Sequence, residues 1–137
     1  MTDSVNSREL VLAILLAVTK DGIYSHVAIS DVLTKYQYLE KQERSFITRV
    51  SEGTSERMLE LDYIINQFSS VKVNKMKPVI RCIIRSAVYE MKYMDSVPVS
   101  ASCNEAVKLA KKKGFGKLSG FVNGVLRNIG RNLDKIA

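Results

Sequence analysis

At 137 residues and 15.4 kDa the chain has room for one domain, since two would each be too small to bury a sizeable core. Apolar residues make up 46% and charged residues 26%, which excludes wholesale disorder, and no run approaches the ~18 apolar residues of a membrane span. The net charge of +7 is unevenly laid out: residues 1–71 carry 7 Lys and Arg against 10 Asp and Glu, and residues 72–137 carry 14 against 4. That is −3 against +10, and the basic second half points to a polyanion partner, most simply nucleic acid.

Apolar residues recur throughout at the helical period of about 3.6 and nowhere alternate cleanly, which predicts an all-α domain of six or seven helices. The first helix opens after Asn6, which has capping-box spacing to Glu9, and carries the stripe Leu10, Val11, Ile14, Leu15 and Val18. Lys20-Asp21-Gly22 stops it, and Ser25 is placed to cap a shorter second helix. From about 40 to 68 the stripe Phe46, Ile47, Val50, Leu61, Ile64 and Phe68 keeps its phase, which predicts one long helix. Gly53 falls on that stripe, where a missing side chain admits a close neighbour or a kink.

Pro78 suits the first turn of the next helix, whose face of Ile80, Ile83, Ile84, Ala87, Val88 and Met91 is the most apolar in the chain. Pro98 precedes another helix, in which Ser102 and Glu105 have capping-box spacing, and Gly114 ends it. The last helix, about 118 to 132, turns Val122, Val125, Leu126 and Ile129 inward. Ile84, Val88, Val107, Val122 and Leu126 are expected to be buried where the last three helices meet.

Enzymatic chemistry finds little support. His26 has no carboxylate or cysteine at a suggestive spacing. Cys82 and Cys103 sit in helical patterns without a second pair or a histidine cluster, so reduced packing thiols in a cytoplasmic protein fit best, with no metal site. Gly114–Gly120 resembles a glycine-rich cofactor loop but follows a lysine-rich helix end where the dinucleotide fingerprint needs a strand.

The basic residues are better organised. Lys77, Arg81 and Arg85 step by four along one helix, and Arg127 and Arg131 along another, with Lys112 in a lysine cluster around the glycine turn. Such rows can meet the phosphates of a nucleic-acid strand, and arginine adds bidentate recognition. These six are the candidate nucleic-acid-binding residues. Arg85 has an alternative role, turned inward to pair with Glu105. Asn104 and Asn123 are poor helix formers in helical segments, so each is expected to make a specific hydrogen bond.

The blocks Arg85-Ser-Ala-Val-Tyr-Glu90, Asn104-Glu-Ala-Val-Lys-Leu-Ala110 and Phe121-Val-Asn-Gly-Val-Leu126 follow one another as in the NusB family. Ser7-Arg8-Glu9 and Leu61-Asp62 fall in step with them, so the chain resembles that family over nearly its whole length. The resemblance implies an all-helical RNA-binding domain and two branches. One is the N-terminal domain of bacterial 16S rRNA cytosine-C5 methyltransferases of the RsmB type. There this chain would be an N-terminal piece recognising small-subunit rRNA, without catalysis or cofactor of its own, and a following domain would use S-adenosylmethionine. The other is the free-standing transcription antitermination factor, which binds boxA-type RNA with a small ribosomal protein. Arg127 and Arg131 after Gly-Val-Leu favour the methyltransferase branch, as does the absence of a basic N-terminal cluster. Outside the family, a helical module whose basic face binds an acidic protein remains the alternative.

Overall fold

The computed structural model describes residues 6–136, which form seven α-helices and three single 3-10 turns; there is no strand among the described residues. The helices are α1 (Ser7–Thr19), α2 (Ser25–Lys35), α3 (Lys41–Glu56), α4 (Met58–Phe68), α5 (Pro78–Tyr93), α6 (Val99–Lys112) and α7 (Ser119–Arg131). The first three pack on one another and the last four on one another, and α5 joins the groups by touching α1, α3, α4, α6 and α7. Ten of its sixteen residues are buried, Ile80, Ile83, Ile84 and Val88 almost completely. A helix so enclosed needs a broad apolar face, which is what set its stripe apart in the sequence, and it buries the charged Arg85 and Glu90 as well. Val122 and Leu126 are fully buried as expected, whereas Val107 is only half-buried, at the edge of α6.

The long helix expected over 40 to 68 is broken in two. At Arg57 the backbone leaves the helical region, with φ −108° and ψ 22°. The amides of Arg57 and Leu61 still reach back to the carbonyls of Gly53 and Arg57, so only one residue departs and the apolar phase passes through unaltered. The Arg57 guanidinium lies 4.5 Å from the centre of the Tyr93 ring and bonds to Glu60 at 3.2 Å, fastening the break to the end of α5. Gly53 itself marks a close approach: an added Cβ would fall 2.1 Å from Cζ of Tyr89. The Tyr89 ring occupies the room the missing side chain leaves.

Two carboxylates are taken into the packing with arginine partners. Glu90, 1% exposed, accepts from Arg8 Nε at 3.0 Å and Nη2 at 2.6 Å and from the Ser102 hydroxyl at 3.0 Å, tying α5 to α1 and α6. Asp62 accepts from Arg85 Nε and Nη2 at 2.7 and 2.8 Å, tying α4 to α5. Ser102 is therefore no cap: α6 begins after Pro98, and its hydroxyl serves the buried glutamate. At the start of α1 Asn6 does cap, accepting from the Arg8 amide at 2.8 Å, but Glu9 points to α6 instead of completing a box.

Candidate nucleic-acid interface

α6 and α7 form an antiparallel hairpin. Gly114 makes the turn with φ +89°, a conformation glycine adopts without penalty, and a 3-10 turn at Gly116–Leu118 leads into α7. The direction is fixed by two contacts: Asn104 bonds to Arg127, and a Cβ on Gly130 would meet Val99 Cγ1 at 2.8 Å. Gly114–Gly120 thus joins two helices with no strand ahead of it, which does not fit a dinucleotide-phosphate loop.

The hairpin carries the exposed Lys108, Lys111, Lys117 and Arg131 and the half-buried Arg127. Lys112 and Lys113 bond to Glu9 at 2.8 and 2.7 Å, joining the end of α6 to the start of α1. These two bonds hold the Glu9 carboxyl below its ordinary range, the Lys112 bond foremost. Arg127 Nε donates to Asn123 Oδ1 at 3.2 Å and Nη2 to Asn104 Oδ1 at 2.8 Å. The two asparagines singled out in the sequence therefore share one arginine, from facing helices.

The row on α5 behaves differently. Lys77 is exposed at the helix start, but Arg81 turns back and donates to the Met76 carbonyl at 2.8 Å. Arg85 is only 7% exposed and fork-bonded to Asp62, so it has no face for a strand; its inward partner is Asp62 on α4 and not Glu105. The helical spacing was real, but it placed three cations on one side of a helix that the fold encloses. Among the six candidates, Arg127 and Arg131 lie together on α7, Lys112 at the end of α6 is engaged with Glu9, and Arg85 belongs to the interior. Residues 1–5, which carry one acid and no base, lie outside the described residues.

Elsewhere the chemistry is quiet. His26 is exposed and stacks on Tyr24 with ring centres 5.9 Å apart. Cys82 and Cys103 are free and buried, and burial raises both thiols above their ordinary range. No group of three potential metal ligands exists among the described residues, and no helix is long and apolar enough to cross a membrane. An open groove of about 760 Å³ along α3 mixes Lys41, Arg44 and Arg49 with Glu52 and Glu56. Its arginines are spent on helix ends, Arg44 on the Leu33 carbonyl and Arg49 on that of Tyr93.

A helical bundle wrapped round one buried helix, with lysines and arginines gathered on an outer hairpin, defines an all-α protein with a basic helical face. The chain belongs to the NusB family, whose pattern matches residues 5–131. It is 34% identical over 124 residues to the probable ribosomal RNA small subunit methyltransferase B of Bacillus subtilis (strain 168), covering 90% of this chain and 27% of that protein. It is also 34% identical over 130 residues to the transcription antitermination protein NusB of the same organism, covering 94% and 95%. Its fold matches a chain in the crystal structure of antitermination factors NusB and NusE in complex with dsRNA, with a TM-score of 0.83 at 22% identity over 91% of this chain and 93% of that one. The chain spans just over a quarter of the length of the methyltransferase relatives, 27% and 28% of two of them.

Proposed function

We propose that the chain is an RNA-binding domain that helps recognise small-subunit rRNA for an S-adenosylmethionine-dependent cytosine-C5 methyltransferase, with catalysis and cofactor residing in a separate domain. The observation that carries the RNA reading is the cationic α6–α7 hairpin, in a half-chain of net charge +10. The likeness to methyltransferase B relatives, and the arginines 127 and 131, support the methyltransferase assignment. A second reading, the free-standing antitermination factor acting on boxA-type RNA with a ribosomal protein, is favoured by the 95% coverage of Bacillus subtilis NusB.

The test is fluorescence anisotropy of the 137-residue chain on a labelled small-subunit rRNA fragment and on boxA-type RNA over a salt series. Removing one phosphate-binding cation should lower the magnitude of the log–log salt slope by about 0.7–0.9. The double variant Arg127→Glu/Arg131→Glu should bind more weakly and with a shallower slope. Unchanged affinity and slope in a folded double variant overturns the hairpin as the RNA face. Preference for the rRNA fragment supports the first assignment; preference for boxA-type RNA, strengthened by the small ribosomal protein, supports the second.

A further inference from the structure

We propose that Asn104 and Asn123 are positioning residues that hold the Arg127 guanidinium as a fixed fork on the α6–α7 hairpin, aimed at a phosphodiester of the RNA backbone. The inference rests on the RNA-binding reading above and adds to it the means by which one cation is made specific.

An arginine on a helix surface ordinarily samples many rotamers, and ordering it on binding costs affinity. Arg127 is ordered before any ligand arrives, because its Nε and Nη2 are bonded to asparagine oxygens at 3.2 and 2.8 Å, one on its own helix and one on the facing helix. Both acceptors are neutral, so the arginine keeps its full charge. A carboxylate in either place would have cancelled it, as Asp62 does for Arg85. With the oxygens turned to the guanidinium, each asparagine directs its amide N–H groups elsewhere. The Arg127 Nη1 and both Nδ2 groups have no partner among the described residues. The N–H groups left unpartnered are donors beside a positive charge, and their match is a group rich in acceptors and negatively charged, which a phosphodiester is. Arg131, one turn further along α7, continues the charge at about the 6 Å rise of four helical residues.

The experiment measures binding of a labelled single-stranded oligouridylate and of a small-subunit rRNA hairpin, with inorganic phosphate as competitor, alongside thermal unfolding of every variant. Asn104→Ala and Asn123→Ala should each weaken RNA binding about three- to tenfold with little change in Tm, a range typical of coupled neighbours. In an Arg127→Ala background the same substitutions should have no further effect. Arg127→Lys should keep the salt slope and still lose affinity, because charge remains and the fork is gone. Weakening by Asn104→Ala that persists without Arg127, or a fall in Tm with RNA affinity intact, assigns the asparagines to helix packing and overturns the proposal. If Arg127→Glu weakens binding while neither asparagine does, the proposal fails and the RNA reading stands; if no RNA binds, both fail. Competition by phosphate without RNA binding reduces the site to a free-anion site and likewise overturns the proposal, as does capture of an acidic protein alone.

Discussion

Arg8 and Glu90 are 82 residues apart in the chain and joined in the interior by a bidentate bond, with the arginine also set 5.0 Å from the centre of the Phe46 ring. Removing the arginine would strand a carboxylate that water barely reaches, so Arg8→Ala should cost about 3 kcal/mol, the low end for breaking a buried pair because Arg8 keeps one edge in solvent. Urea unfolding measures this, and a loss under about 1 kcal/mol would mean that water readily reaches the stranded carboxylate. Two glycines give a matched pair at the same scale. Gly53→Ala drives a methyl into the Tyr89 ring and should destabilise by about 1–3 kcal/mol. Gly124 lies exposed within α7 with open space at its Cβ, so Gly124→Ala should instead stabilise by up to about 1 kcal/mol. Reversal of either sign would contradict the packing described.

Among the helices, the break between α3 and α4 is held by charge. The Glu60 carboxyl is pulled down to about 2 from its ordinary 4.5 by the Lys92 bond first and then by the Tyr93 bond, with burial opposing them and Arg57 adding the least. A carboxyl depressed in the folded state stabilises above its unfolded pKa, and that stabilisation drains away as pH falls through the folded one. Stability should therefore decline between about pH 4.5 and pH 2, and Glu60→Gln should decline less over that window when urea midpoints are compared. Identical pH profiles for the two proteins would show that the cluster is solvated too well to matter. This junction is also where the sequence was least legible. One residue out of helical geometry does not shift a 3.6-residue pattern, so Arg57 left no trace in the stripe, while α5, α6 and α7 announced themselves by Pro78, Pro98 and Gly114. Spacing tells which face of a helix a residue occupies but not what lies opposite. Arg85 sat on the expected row, yet its partner 23 residues away was invisible until α4 and α5 met. The blocks shared with the NusB family carry Arg8, Asp62, Arg85 and Glu90, which hold the interior, so family likeness pointed to the fold more surely than to the RNA face. Asn104 and Asn123 were legible as oddities because asparagine is costly within a helix.

At the scale of the molecule, both groups of helices close over α5, and Ile84 near its middle is fully buried. Ile84→Ala should cost about 2–5 kcal/mol and lower a single unfolding transition without splitting it, as followed by circular dichroism and calorimetry. Two separated transitions would show that α1 to α3 form an independent unit. The shared helix has one more consequence, for time. An amide in the middle of α5 meets solvent only if its walls part, and they belong to opposite ends of the chain. Its deuterium uptake should follow the slowest clock in the protein, the opening of the whole fold, while the end turns of α7 exchange sooner through local fraying.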